Sequence, residues 1–196
     1  LKGKNGGLVR IDDLVIEDVT ELYFQDLLKH VDVRDYGALG DGTTDDRLAF
    51  VAADKAAAGR EILVPSGSYF IGSSLTLHAP VSFEGTLSMA EKSVLSLTKQ
   101  FDLPTYIRAF GEEELGFVKA FQSLLSDSDH ESLDMAGRKV TINGPLDMAR
   151  LSGRTRFAQR RVVRNGQLNA AGDSVWNSVK VTSQGSYSAY YQTRLS

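Results

Sequence analysis

The sequence predicts a mainly β protein whose short strands stack in successive coils, with one α-helix at the start of the coils and another inserted among them. Three observations predict it. The segments VSFEGTL from Val81, VTINGPL from Val140 and VVRNGQL from Val162 each carry Val, Gly and Leu at the first, fifth and seventh places, one face of a strand at period two. EILVPSGSYFIG, from Glu61, reads as strand, Pro-Ser-Gly turn and strand, rich in the β-branched and aromatic residues that suit a pleated surface. The β pattern gives way to helical spacing in RLAFVAADKAAAG from Arg47 and in GEEELGFVKAFQSLL from Gly111.

Before the coils, Gly7 to Val19 alternates loosely, as a strand or extended arm would. Thr20 to His30 then places Leu22, Tyr23, Phe24, Leu27 and Leu28 at helical spacing. This front section is unlike the rest of the chain, so residues 1–32 are expected to form a small α/β segment and residues 33–196 the coiled domain. In RLAFVAADKAAAG, Leu48, Val51, Ala52, Lys55 and Ala56 follow the 3.6 period, and Gly59 stands where the helix should stop.

The second and third Val-Gly-Leu segments begin 22 residues apart, a length suited to one coil of a solenoid, whose repeats bury their apolar faces only by stacking. The first and second begin 59 residues apart, which leaves room for an insertion. An inserted helix at about 111–127 fills it. Glu112 to Glu114 favour its start by opposing the helix dipole, and Leu115, Val118, Phe121, Leu124 and Leu125 form its apolar stripe. Beyond Ala170, Val175, Asn177, Val179 and Val181 alternate as another strand.

Composition excludes several functions. A chain of 196 residues with 42 % hydrophobic content buries one sizeable core, and a net charge of −3 gives no bulk attraction to nucleic acid or to a membrane surface. The absence of cysteine rules out disulfides and thiolate chemistry, and His30, His78 and His130 lack ligand-like spacing, so neither metal nor cofactor is expected. No apolar run reaches the roughly 18 residues of a membrane span, and no signal-peptide pattern opens the chain.

DYGALGDGTTDD, residues 35–46, is the densest acidic stretch. Its carboxylates lack calcium-loop spacing, and the lysine of a phosphate-cradling loop is missing. As architecture it is coherent. Gly37, Gly40 and Gly42 admit a tight turn, Asp41 bonds locally, and Thr44 acts as N-cap. Asp45 and Asp46 lie in the first turn, where the helix dipole stabilises each by ~0.3–1 kcal/mol. Glu84, Asp134 and Asp147 lie near strand ends, as a general acid and base pair or as solvated strand residues. Arg150, Arg154, Arg156, Arg160, Arg161 and Arg164 concentrate positive charge, for an anionic partner or as a solvated or intersubunit face. Trp176, Tyr187, Tyr190 and Tyr191 suit stacking on sugars or core packing.

VRDYGALGDGTTDDRLAF followed by ILVPSGSYFIGSSLTL resembles the amino-terminal entry of the pectate-lyase-like superfamily, whose members include polygalacturonase-like hydrolases and many phage tailspikes. The residues that match its pattern are Asp35, Tyr36, Gly37, Ala38, Gly40, Asp41, Gly42, Thr44, Asp45, Asp46, Val64, Pro65, Gly67 and Tyr69. The resemblance implies a right-handed parallel β-helix entered through a capping α-helix. It implies fold more than activity, because catalytic carboxylates of such enzymes sit on later coils, and no Asn-Thr-Asp or Asp-Asp site of that kind occurs here. Residues 1–32 stand where tail fibres and spikes carry an attachment segment. The expectation is therefore a virion appendage on a tail or head, homotrimeric and joined to other particle proteins through residues 1–32, with its shaft meeting host-surface polysaccharide. The alternative is a polysaccharide hydrolase or lyase whose catalytic coils lie beyond Ser196.

Overall fold

The computed structural model describes residues 30–126, 129–143, 146, 148–153 and 161–170. The strand expected at 7–19, nearly all of the helix expected at 20–30 and the alternating segment beyond Ala170 lie outside these residues. His30, the last residue of that expected helix, belongs instead to a strand.

The described residues are mainly β, in short parallel strands forming small sheets. In chain order they are β1 (His30–Asp32), β2 (Asp41–Asp45), β3 (Glu61–Val64), β4 (Ser68–Ile71), β5 (Leu75–Leu77) and β6 (Val81–Phe83). There follow β7 (Thr86–Met89), β8 (Leu95–Leu97), β9 (Ser132–Asp134), β10 (Lys139–Ile142), β11 (Val162–Arg164) and β12 (Gln167–Ala170). The sheets run β1-β3-β6, β2-β4-β7, β5-β8, β9-β11 and β10-β12, with every pairing parallel. A strand therefore finds its partner one pass of the chain later, never across a hairpin. β3 and β4 occupy the strands expected on either side of Pro-Ser-Gly, yet they belong to different sheets.

Alternation decides which side chains go in. Ile62, Val64, Tyr69, Ile71, Leu75 and Leu77 are buried on one pass, and Val81, Phe83, Leu87, Leu95 and Leu97 on the next. The register sets Ile62 against Val81, Tyr69 against Leu87 and Leu75 against Leu95, so inward residues stack in columns through the core.

Three expectations need correction. The first concerns α1 (Arg47–Ala57), which buries Ala49, Phe50, Ala53 and Ala57 and leaves Leu48 and Val51 exposed, the reverse of the face read from its periodicity. Alanines on three of the four inward positions let the helix lie close to β1, β3 and β5, with Phe50 as the one large filler. Its left-handed C-cap falls on Ala58, followed by Gly59 at φ 93°.

Second, the insertion holds two helices. α2 (Leu103–Phe110) starts on Asp102, whose side chain accepts the Thr105 N–H, has a proline in its first turn and ends at Gly111 in the left-handed region. α3 (Glu113–Leu125) is the helix expected at 111–127, but of its expected stripe only Phe121 and Leu124 are buried: Leu115 is exposed, Val118 and Leu125 are half-buried, and Phe117, Lys119, Ala120 and Gln122 go in instead. The two helices meet at Gly116, where a Cβ would stand 2.9 Å from the Ile107 backbone. That approach is open only to glycine. A short helix, α4 (Met148–Ser152), packs on α3.

Third, the Val-Gly-Leu segments are not stacked copy on copy. Each of the first and third is two strands broken at its glycine: β6 and β7 around Gly85, β11 and β12 around Gly166. Val140 of the second segment pairs with Leu168 of the third, 28 residues on rather than 22. The glycine marks a corner between sheets, so the strand before one corner and the strand after it lie over different parts of the previous pass.

Candidate functional site: the acidic entry turn

Three of the four carboxylates of residues 35–46 bind backbone, and Asp35 is exposed. Asp41 Oδ1 accepts the N–H groups of Thr43 and Thr44, each at 2.8 Å, and Oδ2 accepts the Thr44 hydroxyl at 2.8 Å. Asp45 Oδ1 accepts the Gly72 N–H at 2.9 Å and the Arg47 N–H at 3.1 Å. Asp46, 2 % exposed, turns back to accept Leu39 N–H at 2.7 Å and Gly40 N–H at 3.1 Å. The Thr44 N–H holds the Asp41 carboxyl well below the usual carboxylate range, with Thr43 and the Thr44 hydroxyl adding to it. For Asp45 the Gly72 N–H is the main cause of a shift in the same direction. Asp41 and Asp45, fixed this way, stay ionised and cannot donate a proton near neutral pH.

The helix start lies later than the sequence places it. The N-cap is Asp46, with no acidic residue in the first turn of α1, and Thr44 sits inside β2 with its hydroxyl turned to Asp41. Asp41 offers its oxygens two and three residues away, a shorter reach than the helix, and so captures Thr44 first. Gly37, Gly40 and Gly42 have φ of 95°, 64° and 77°, the left-handed region the turn requires.

Beneath the turn lies a feature that its acidity hides. The Tyr69 ring is fully buried, its hydroxyl donates to the Pro65 carbonyl at 3.0 Å, and Phe50 of α1 meets it edge-on at 5.6 Å between centroids. A Cβ on Gly40 would stand 2.9 Å from that ring, one on Gly67 3.3 Å and one on Gly85 2.8 Å. Glycines from the entry turn, from the Pro-Ser-Gly turn and from the next pass thus leave room for one aromatic ring. The sequence shows all four residues, but only the fold brings them together.

The other candidates separate. Arg150 forms an ion pair with Glu91 at 2.6 Å, Arg164 pairs with Asp134 at 3.2 Å, and Arg161 donates to the His130 carbonyl. Each of these three arginines has a partner within the chain, while Arg154, Arg156 and Arg160 lie outside the described residues, as do Asp147, Trp176, Tyr187, Tyr190 and Tyr191. Asp134 accepts the Ala136 N–H at 2.8 Å and the Asn165 amide at 3.0 Å, and the Ala136 N–H chiefly draws its pKa down. Glu84 is exposed beside Gly85. Among the described residues no group of three or more His, Cys, Asp or Glu could hold a metal ion.

Two polar clusters went unread in the sequence. Lys119 of α3, 3 % exposed, gives its ammonium to the carbonyls of Ala90, Glu91 and Ser93 at 2.8, 3.1 and 2.8 Å, and burial pulls its pKa down to about 8. Gln122, one turn on, donates to Glu91 and Leu151 carbonyls at 3.1 and 2.8 Å. Together they hold the bend between β7 and β8. Asp54 of α1 accepts the N–H groups of His78 and Ala79 and meets His78 Nδ1 at 2.9 Å, tying the helix to the end of β5. A lone lysine or glutamine reads as a solvent-facing residue, and spacing puts Lys119 on the side of the helix away from Phe117 and Phe121, so the sequence carried no signal for it.

Residues 30–144 match the family described as Rhamnogalacturonase A/epimerase, pectate lyase-like. Among solved structures, ORF18 of Geobacillus virus E2 overlays with a TM-score of 0.27 at 17 % identity, over 85 % of this chain and 31 % of that one. The chain thus spans about a third of the length of that protein.

Proposed function

The chain belongs to the pectate-lyase-like family of rhamnogalacturonase A and the epimerases, and from that premise we propose that it is a structural appendage of a phage or phage-like particle. In this reading the parallel strands begin a right-handed β-helical shaft, α1 caps its first coil, residues 1–32 anchor it to other particle proteins, and the assembly is a homotrimer that presents the shaft to host-surface polysaccharide. The observation that carries it is the fate of the acidic turn. Asp41, Asp45 and Asp46 all bind backbone N–H groups, so three of the motif's four aspartates build an entry to the fold. The resemblance of that motif to the entries of tailspikes supports the particle assignment.

The family's description favours one rival, a glycan hydrolase or lyase with catalytic coils beyond Ser196. Incubating the protein with host cells and with purified surface polysaccharide separates the two. The structural reading expects saturable binding with no release of reducing ends or unsaturated sugars, and light scattering at the mass of three chains. Sugar release that rises with time would move the assignment to the enzyme, and a monomer at micromolar concentration would remove the trimer.

A further inference from the structure

The outward side of α1 is apolar where a surface helix is ordinarily polar. Leu48 is 75 % exposed and Val51 39 %, and exposed Ala52 lies beside them. Leu48, Val51, Ala52 and Lys55 fall at i, i+3, i+4 and i+7, a single stripe. Scattered surface leucines need no account, but apolar neighbours in a stripe opposite an already buried face do. Charge stands at the ends of the stripe: Lys55 is exposed at one, while Arg47, half-buried at the other, gives its Nε–H to the Ser74 carbonyl at 2.9 Å. Asp54 is turned aside to His78 and Ala79, and Asp45, beside Arg47, is held by Gly72.

We propose that this stripe is the docking site of the chain's own residues 11–28. The first support is where that stretch ends. It runs into β1 at His30, and β1 packs against α1. The eight residues from Leu22 to His30 reach about 26 Å when extended, against a length of about 16 Å for α1, so an extended connection is long enough. The second support is chemical fit. Leu22, Tyr23, Phe24, Leu27 and Leu28 supply apolar surface at helical spacing, while Asp12, Asp13, Glu17, Asp18, Glu21 and Asp26 make residues 11–28 acidic without a single basic residue. An acidic and apolar segment meets an apolar stripe that ends in the exposed Lys55. Docking would hold the front segment against the coiled body and present its remaining side to whatever it attaches to. This goes beyond the proposed function and stands independently of polysaccharide binding or trimer formation.

The chain has no cysteine, so a two-cysteine trap is clean. In the full chain, Val51→Cys is combined in turn with Tyr23→Cys, Phe24→Cys or Leu27→Cys, oxidised mildly at micromolar concentration and read by non-reducing electrophoresis and peptide mass mapping. Thr141→Cys, exposed on β10, replaces Val51→Cys in the control. At least one pair should close within a single chain about tenfold faster than its control, as a raised effective concentration requires. Adding Leu48→Glu, at a surface position, should slow that closure several-fold. Closure no faster than control for all three pairs would overturn the proposal. Links formed only between chains would overturn it as well and give the stripe to a second copy.

Discussion

Two corners of the molecule use the same device and finish it differently. In the front corner, the bend between β3 and β4 carries the Glu84-Gly85 bend of the next pass, with Thr86 N–H donating to the Gly67 carbonyl at 2.9 Å. In the rear corner, residues 135–138 between β9 and β10 carry the Asn165-Gly166 bend, with Gln167 N–H donating to the Arg138 carbonyl at 3.0 Å. Each upper bend needs glycine because the bend below leaves no room for a Cβ. At Gly85 that atom would lie 2.3 Å from the Pro65 carbonyl oxygen, and at Gly166 2.4 Å from Met135 Cβ. The filler differs: a rigid tyrosine ring wedged among glycines in front, a methionine behind. So does the cover, since Val81 and Leu87 are buried whereas Val162 is exposed and Leu168 half-buried. A glycine corner specifies the path of the chain in both places; how firmly it is held depends on the side chain beneath it.

That comparison can be broken most severely at its centre. Tyr69→Ala should cost about 4 kcal/mol, since it empties a fully buried aromatic site enclosed by Phe50 and three glycines. A urea midpoint within error of the parent would show that the ring does not organise the front corner. Gly85→Ala comes next at about 3 kcal/mol, because the added methyl meets backbone that cannot move aside. Gly166→Ala should cost less, about 2 kcal/mol: its methyl also meets fixed atoms, Met135 Cβ and the Arg138 carbonyl, but the strands on either side of it are less buried and can shift. Equal losses at the two glycines, measured in the same denaturant series, would erase the distinction between the corners.

Acid should give the smallest effect and touch both corners. Asp41, Asp45 and Asp134 have folded pKa values below their ordinary ones, so their stabilisation is complete above the unfolded value near 4 and is lost as pH falls below it. The melting temperature should therefore decline more steeply between about pH 4 and pH 2 in the parent than in Asp41→Asn or Asp134→Asn. Parallel curves for parent and variants would mean that neither carboxylate is held by its N–H donors.

Much of the fold was legible because short-range physics writes it. Strands β3, β4, β6 and β7 followed period-two alternation, and α1 and α3 stand where the 3.6 period placed helices, though neither buries the whole stripe read for it. The entry turn announced itself through glycines that take left-handed angles. α2 was also written, in Asp102, Pro104 and Gly111, but eight residues are too few for periodicity to stand out without those end signals. The face of α1 was not legible. Leu48 and Val51 on one side and Phe50 with its alanines on the other are both apolar, and only the closeness of β1, β3 and β5 selects the smaller residues.

By itself, the sequence determined much of the local conformation and the family: where the strands around Gly67 and Gly85 and the helices α1 and α3 form, and that the acidic motif is an entry turn. Those properties rest on backbone sterics and on hydrogen bonds between residues two to seven places apart. Only the tertiary structure decided that Val140 lies against Leu168, that Lys119 serves the carbonyls of a distant bend, and that Gly40, Gly67 and Gly85 converge on Tyr69. In a parallel stack every strand bonds to a partner from another pass. Register is then set by the lengths of the intervening bends and the volumes packed between them, quantities that no single segment contains.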